Sequence, residues 1–378
     1  MKDARPLHVV FVISSLGRGG SERQMINLAG ELNRRGHKAE IATLTNEGPL
    51  AVLARSRGIP VLDFGMQGGR FRGLLRLLRH IRRHEPDVVH PYLPRDNALV
   101  TLLKPFFRKS QLVWGVRSAD MDWTKYRRFT SLFWKIVVFV SRWADLIIAN
   151  SQFGADVHVE QGFPYSKIVV VPNGIDSSTF ITPMAARSEE RARIGVPEDA
   201  EVVGMLGRFD PMKGHDLVLE VFRAARAHRP NLHLVVVGLH THEQGNTFLN
   251  QARAMGLLDN VTLLPESDSP EWALQLFDVL VLPSLSEAFP NVVAEALSCG
   301  VPVAAFDVGD VKQVVGVFGS VVPRGDVAAL GRTIGTILDR HYDPADMHDY
   351  VENAFSISTL ADRSLDAFRL LLNKSQGR

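Results

Sequence analysis

The sequence predicts an α/β protein with two doubly wound parallel sheets, one in each half of the chain. Short β-rich apolar runs alternate with helical patterns from end to end, and this alternation restarts after a turn-forming segment at 172–176. Such alternation is the signature of βαβ units, whose strands run parallel. A length of 378 residues is sufficient for two domains of this kind.

The distribution of charge supports the same division. Residues 1–172 carry 26 lysines and arginines against 14 aspartates and glutamates, a net charge of +12. Residues 173–378 carry 17 against 27, a net charge of −10. A positive field over the first half would attract an anionic partner.

Composition and cysteine content exclude several classes of protein. With 46% hydrophobic residues and 22% charged residues, the chain is neither disordered nor fibrous. Cys299 is the only cysteine, so no intrachain disulfide can form. The most apolar long run, Phe129–Ile148, contains Lys135, Arg142 and Asp145 and is therefore not a membrane span. Residues 1–15 are predicted to form a strand and not a secretory signal, so we expect the protein to work in the reducing cytoplasm.

Strands are predicted where β-branched and aliphatic residues run between turn formers. One helix between them is predicted over Ser21–Arg35, with Ser21 as its N-cap and Gly36 as its stop signal. The predicted strands of the first half are His8–Ser14, Lys38–Leu44, Pro60–Phe64, Asp87–His90, Gln111–Val116, Leu146–Ala149 and Ile168–Val171. Those of the second half are Glu201–Leu206, Leu232–Val237, Val261–Leu264, Asp278–Leu282, Val301–Phe306 and Ser320–Val322.

These elements indicate an N-terminal domain over 1–172, a second domain over 173–355 and a closing segment over 356–378 that contains a helix at Ile357–Leu372. In open α/β sheets, ligands bind beyond the carboxyl ends of the strands. We therefore expect the two domains to face each other across a cleft, each with a site at that edge.

A glycine-rich turn over residues 17–20 follows the first strand and opens the first helix. Gly19 and Gly20 would let backbone amides approach an anion at the positive end of that helix. The spacing is not that of a dinucleotide-binding turn, and the second strand ends without the acidic residue that would hold a ribose. A nicotinamide-dependent dehydrogenase is therefore disfavoured.

Two further segments carry candidate chemistry in the second half. Arg208 and Lys213 lie five residues apart, just before a helix that starts at His215. Two cations in that position can neutralise a diphosphate as it departs. Glu287 precedes a helix in which Pro290 suits the first turn, while Glu295 lies within that helix and suits two ribose hydroxyls. Amides of the segment Phe289, Pro290, Asn291 and Val292 add donors for phosphate.

Taken together, the order and spacing of these motifs resemble the retaining glycosyltransferases of family 4, which have the two-domain GT-B architecture. The resemblance covers essentially the whole chain. It rests on residues 19–23, Pro86–His90, Asn150-Ser151, Pro172–Asp176, Gly207–Gly214, the pair Glu287 and Glu295, and Gly300–Val303.

The resemblance implies transfer of a hexosyl group from a nucleoside-diphosphate sugar, with retention of the anomeric configuration. We expect a UDP-sugar rather than a GDP-sugar as the donor, and neither a cofactor nor a metal ion. It implies that Arg208 and Lys213 hold the donor diphosphate, Glu295 the ribose and Glu287 the sugar hydroxyls. Gly19 and Gly20 would face the donor phosphate or the acceptor. The acceptor would be a glycan or a lipid-linked sugar in cell-surface polysaccharide synthesis, and the C-terminal helix would return to the first domain.

One position departs from the family pattern. Many members have a catalytic histidine just after the fifth strand, yet this chain has no histidine between His90 and His158. We assign the vacant role to Arg117, with His90, Ser118 and Asp120 as further acceptor-side candidates.

The first half also contains a basic segment, residues 70–83, with leucines on one helical stripe and arginines on the other. One interpretation is a helix that packs its leucines on the sheet, with the arginines in water. The other is a domain that rests on an anionic membrane leaflet, at the inner face of the cell membrane. Nucleic acid is disfavoured because no recognition module is present.

Two alternatives to glycosyl transfer remain at this point. One is a GT-B sugar-nucleotide epimerase, which would act on the donor without an acceptor. The other is a non-catalytic subunit that binds a sugar nucleotide and scaffolds a membrane assembly.

Overall fold

Two compact units make up the chain in the computed structural model, which describes residues 5–65, 70–117, 128–180, 187–239, 241–267 and 269–376. The first unit comprises residues 1–174 together with 357–378, and the second comprises 175–356. Each contains a parallel sheet flanked by helices, which confirms the predicted fold class. No helix within these ranges combines the length and the apolarity that a membrane span requires.

The sheet of the first unit is built from the aliphatic runs that the sequence analysis singled out. Its strands in the described residues are β1 (His8–Ile13), β2 (Lys38–Thr43), β3 (Val61–Asp63), β4 (Val88–Pro91), β5 (Gln111–Val116), β6 (Leu146–Ala149) and β7 (Ile168–Val170). They pair in the order β3-β2-β1-β4-β5-β6-β7. Neighbours run parallel, with Val10 of β1 opposite Glu40 on one side and Val89 on the other. All carboxyl ends therefore meet at one edge.

The sheet of the second unit repeats this plan. Its strands in the described residues are β8 (Glu201–Leu206), β9 (Leu232–Leu239), β10 (Val261–Pro265), β11 (Val279–Leu282), β12 (Val303–Asp307) and β13 (Gly319–Pro323). They pair in parallel in the order β10-β9-β8-β11-β12-β13. The order places β8 beside β11, so the segments that follow these two strands are neighbours although they are far apart in sequence.

All but the last three helices fall between strands, as βαβ connections require. Within the described ranges they are α1 (Gly20–Arg34), α2 (Ala51–Ser56), α3 (Arg70–His84), α4 (Pro94–Thr101), α5 (Arg128–Val140), α6 (Gln152–Glu160), α7 (Arg187–Arg193), α8 (His215–Arg226), α9 (His242–Ala254), α10 (Pro270–Gln275), α11 (Asn291–Ser298), α12 (Val311–Val315), α13 (Val327–Leu338), α14 (Pro344–Phe355) and α15 (Ile357–Gln376).

The first sheet has a separate hydrophobic core on each face, because successive side chains of a strand point to opposite faces. Val9 and Phe11 of β1 pack with α1, α2 and α15. Val10 and Val12 pack with the helices of the other layer, α3 to α6. The last helix thus belongs to the first unit, where Phe368 is fully buried.

Helix α3 packs as the first interpretation of the basic segment predicts. Leu77 and Ile81 are buried against the sheet, whereas Arg72, Arg79 and Arg83 are exposed. This packing is compatible with either interpretation, because the arginine stripe faces solvent in both.

All thirteen predicted strands are present, with ends that differ by no more than two residues. Two predicted helix starts are wrong. Gly19, not Ser21, is the N-cap of α1, and it supplies no side-chain cap. Pro290 is the N-cap of α11 instead of a first-turn residue, so that helix begins at Asn291. Gly36 has a φ of +83°, a left-handed conformation that suits glycine and confirms it as the stop signal.

Candidate functional site

The segment after β8 is held by two turn devices. Asp210 Oδ1 accepts a hydrogen bond from the Met212 amide at 2.8 Å and caps the 3₁₀ turn Pro211–Lys213. Gly214 follows with a φ of 74° and starts α8. Arg208 is exposed in this segment and forms no hydrogen bond or ion pair with the described part of the chain. Its guanidinium is therefore open to an anion from solution.

Lys213 and Glu287 meet across the edge of the second sheet. Lys213 Nζ lies 2.7 Å and 2.9 Å from the two carboxylate oxygens of Glu287. Ser284 Oγ donates a third hydrogen bond to Glu287 at 2.7 Å. The Glu287 side chain is only 8% exposed and the Lys213 side chain 30%. A fixed ammonium group thus lies at the carboxyl edge of the strands, where ligands of open α/β sheets bind.

Close backbone approaches lock the neighbouring segments together. The Leu285 amide donates to Met212 O at 2.8 Å. A Cβ atom at Gly214 would lie 2.0 Å from Pro283 O, and one at Gly309 would lie 2.0 Å from Glu287 O. No side chain fits at such distances, so these two glycines let the segments after β8, β11 and β12 touch.

Helix α11 follows directly from the Glu287 segment. Phe289 is buried and its ring contacts that of Phe355 at 5.4 Å, which anchors the start of the helix. Asn291 and Val292 are half-buried at its first turn, and Glu295 is half-buried one turn later. The ribose role of Glu295 and the phosphate role of the α11 amides stay predictions.

Cys299 closes α11 and is buried. Burial first, and then the negative charge of Glu295, raise the pKa of its thiol to about 12. A thiol with so high a pKa is a packed apolar group and not a nucleophile.

The glycine-rich turn of the first unit has a simple local explanation. A Cβ atom at Gly19 would lie 2.2 Å from the Glu22 carboxylate, which is the mobile end of a side chain and not backbone. Gly20 is exposed as the first residue of α1. A ligand-facing role for these two glycines stays a prediction.

His90 lies inside the core of the first unit. Its Nδ1 is 2.7 Å from Val113 O, and its ring packs against those of Phe11, Tyr92 and Phe368. Burial, and secondarily the nearby Arg117 charge, lower the pKa of His90 to about 3. The imidazole is therefore neutral and donates from Nδ1, an arrangement that favours a structural role over contact with an acceptor.

Arg117 follows β5 and lies over the ring of Tyr92, with 4.1 Å between its guanidinium carbon and the ring centroid. It donates a hydrogen bond to Asn173 Oδ1 at 3.2 Å, while its Nε is buried without a partner. Burial lowers the pKa of Arg117, since it disfavours the charged guanidinium, and no carboxylate of the described residues pairs with it to oppose the shift. Ser118 and Asp120, the other two acceptor-side candidates, lie outside the described residues.

Two polar groups at these edges were not predicted from the sequence. Ser284 lies two residues after the end of β11. Its position three residues before Glu287 is the one feature of the sequence that could have indicated a contact between them. Asp96 is fully buried in the first turn of α4 and accepts hydrogen bonds from the Ser14 amide at 2.9 Å and from Ser14 Oγ at 2.5 Å. Nothing in the sequence links Asp96 to the end of β1.

Asp96 leads to a prediction about pH. Burial raises the pKa of Asp96 to about 6, although the hydrogen bonds from Ser14 act to lower it. The folded state therefore binds the carboxyl proton of Asp96 more tightly than the unfolded state does. Protonated Asp96 stabilises the fold at low pH, and this stabilisation is lost as the pH rises from about 4 to about 6. In Asp96→Asn the side-chain oxygen can still accept from the Ser14 amide, and its NH2 group can donate to Ser14 Oγ. We therefore expect this variant to be more stable than the wild type above pH 6 by up to about 3 kcal/mol.

Thermal unfolding between pH 4 and pH 8 measures this effect. The advantage of Asp96→Asn should shrink as pH falls, while Asp96→Ala, which loses both bonds, should be less stable at every pH. A constant difference between wild type and Asp96→Asn across that range would contradict a buried, titrating carboxyl.

Comparison with known families agrees with this architecture. Residues 18–179 match the model described as Glycosyltransferase Family 4, and residues 186–356 match the model described as Glycosyl transferases group 1. These matches cover most of each unit.

Curated relatives and solved structures give the same result. The chain is 30% identical over 337 residues to the D-inositol 3-phosphate glycosyltransferase of Actinosynnema mirum, which covers 79% of this chain and 78% of the relative. It is 29% identical to the protein of the same name from Mycolicibacterium smegmatis, over 85% of this chain and 79% of the relative. Anabaena HepE in complex with UDP superposes with a TM-score of 0.83 at 22% identity, over 96% of this chain and 100% of HepE. Because the family models match both units and a relative is 30% identical over most of its length, this chain belongs to glycosyltransferase family 4, with a GT-B fold.

Proposed function

We propose that this glycosyltransferase moves a sugar from a nucleoside-diphosphate sugar to a glycan or lipid-linked acceptor, with retention of configuration. The observation that carries the proposal is the Lys213–Glu287 pair at the sheet edge of the second unit. Arg208 adds a second, unpaired cation in the same segment of the described chain. Two cations beside a helix start suit a leaving diphosphate, whose negative charge grows as the sugar departs.

In this mechanism Glu287 holds the lysine ready before the donor arrives. An ammonium group has three N–H donors, so Lys213 can keep one bond to Glu287 and turn another toward a phosphate oxygen. Arg208, with its planar guanidinium, can contact two oxygens of the same diphosphate. The positive charge needed for departure then comes from side chains, and we propose that no metal ion is required.

We assign the nucleotide to the α11 side of the same edge. Glu295 would accept hydrogen bonds from the ribose, and the amides from Phe289 to Val292 would face phosphate at the positive end of the helix. The solved HepE structures include complexes with UDP and with UDP-glucose. This favours a UDP-sugar over a GDP-sugar as donor.

The acceptor is assigned to the first unit, with Arg117 as the residue that receives it. A half-buried guanidinium without a carboxylate partner in the described residues favours an anionic group on the acceptor. The relatives named D-inositol 3-phosphate glycosyltransferase carry a phosphorylated compound in their name, in line with this assignment. A role in cell-surface polysaccharide synthesis at the cytoplasmic side of the membrane stays a prediction.

Donor binding is tested by thermal shift with UDP-, GDP- and ADP-sugars. Ligand at 100 times its Kd adds about 2.7 kcal/mol to the folded state, so the correct donor should raise the Tm by several degrees. We expect the largest shift with a UDP-sugar and a much smaller one for Arg208→Ala. Equal shifts with all three nucleotides, or none, would contradict the assigned donor site.

Incubation with that nucleotide-sugar alone separates the remaining alternatives. An epimerase would convert the donor without an acceptor, whereas a glycosyltransferase would leave its stereochemistry unchanged and release nucleotide only slowly. A binding subunit would show the thermal shift but transfer nothing to any glycan, lipid-linked or phosphorylated acceptor.

A further inference from the structure

Exposed apolar side chains are concentrated on one layer of the first unit. Of the thirteen large apolar side chains that are exposed in the described residues, ten lie between residues 75 and 165, and the second unit contributes one. That stretch contains helices α3 to α6, which pack on the same face of the sheet. The ten are Leu75, Leu102, Phe106, Leu132, Phe133, Ile136, Phe139, Trp143, Phe153 and Tyr165.

Helix α5 and the 3₁₀ turn after it, Ser141–Trp143, carry five of these ten side chains. Leu132, Ile136, Phe139 and Trp143 are 59%, 48%, 54% and 50% exposed. Their spacing of four, three and four residues places them on one stripe. The opposite stripe, with Trp134, Val137 and Val140, is buried against the sheet. The helix is therefore apolar on two faces, only one of which the fold uses.

Cations flank the exposed stripe. Lys135 and Arg142 are exposed beside Ile136 and Trp143, and the Arg142 guanidinium lies 5.0 Å from the Phe139 ring centroid. No aspartate or glutamate occurs from 128 to 144. The exposed arginines of α3 lie on the same layer, which belongs to the half of the chain with a net charge of +12.

We propose that this layer docks on an anionic lipid bilayer, with the α5 stripe (Leu132, Ile136, Phe139 and Trp143) inserted at the interface. Aromatic and aliphatic side chains suit the boundary between headgroups and acyl chains, and cations beside them suit anionic headgroups. A second copy of the chain fits less well, since a two-fold contact through the stripe would bring the cations Lys135 and Arg142 of one copy close to those of the other. Docking does not depend on the donor chemistry, so the two proposals can fail separately.

Co-sedimentation of the full chain with vesicles tests the proposal. We expect binding to vesicles of phosphatidylcholine with about 30% phosphatidylglycerol, and at least tenfold weaker binding to phosphatidylcholine alone. The double variant Ile136→Ser/Phe139→Ser should lower binding to the anionic vesicles by about tenfold or more. A matched double variant, Val52→Ser/Leu370→Ser, removes two apolar side chains that are even more exposed, at 75% and 63%, on the other helix layer. It should bind like the wild type.

Tryptophan emission provides a readout that does not depend on the serine variants. Anionic vesicles should shift the emission of the wild type to shorter wavelength, and Trp143→Phe should abolish most of that shift. The proposal is overturned by equal binding of wild type and Ile136→Ser/Phe139→Ser, or by equal binding to neutral and anionic vesicles. A vesicle-free dimer that the double variant converts to a monomer would assign the stripe to a second copy instead.

Discussion

Replacing Arg208 with alanine should lower kcat by about two orders of magnitude or more, as loss of a charge-stabilising donor does in other enzymes. The side chain is exposed and has no partner among the described residues, so its loss leaves no buried group unsatisfied. We therefore expect the Tm to be unchanged. Steady-state transfer from a UDP-sugar, together with thermal unfolding, measures both quantities.

Arg223→Ala is the matched control for this experiment. Arg223 is also an exposed arginine of the second unit, on α8, which starts directly after the candidate segment. The control should have the turnover of the wild type. Wild-type turnover in Arg208→Ala itself would remove Arg208 from the mechanism and leave Lys213 as the cation of the site.

Lys213→Ala should lower both activity and stability. Without the ammonium group, the nearly buried Glu287 carboxylate keeps, among the described residues, only its hydrogen bond from Ser284. We expect the free energy of unfolding to fall by about 2 kcal/mol or more. This is less than the loss of a fully buried ion-pair partner costs, because Lys213 is partly exposed to solvent. We expect a loss of turnover of about two orders of magnitude, comparable to that of Arg208→Ala.

A double variant separates the two roles of Lys213. Lys213→Met/Glu287→Gln removes both charges and keeps the shapes and the hydrogen bond from Ser284, so we expect it to recover most of the lost stability. Turnover should stay low, because no ammonium group faces the diphosphate. Recovery of turnover together with stability would show that Lys213 acts only as the partner of Glu287.

The sequence patterns that predicted correctly are local ones. The continuous apolar run of β1 and the leucine spacing of α3, which follows the helical period of 3.6 residues, are both visible in a short window of sequence. Gly36 was a correct stop signal because its left-handed conformation depends on the residue itself. The start of α1 was misplaced since Ser21 has the cap-forming residue type, yet the chain enters the helix at Gly19 without a side-chain cap.

The site was predictable only in part. Arg208, Lys213 and Glu287 were identified from residue type and from their place after strands. Their contacts were not, because the Lys213–Glu287 pair depends on β8 lying beside β11 in the sheet. Ser284 and Asp96 were overlooked for the same reason, since each acquires its role from a partner in a neighbouring segment. The exposure of the α5 stripe was equally hidden, as both faces of that helix are apolar in sequence.

By itself, then, the sequence determined two parallel-sheet units, the order of their elements and the family motifs, because these follow from short-range periodicity and residue type. Only the tertiary structure decided which charges meet, which histidine is sealed in a core and which apolar residues stay in water. Those outcomes depend on strand order and on how segments tens of residues apart pack together, and no local pattern contains that information.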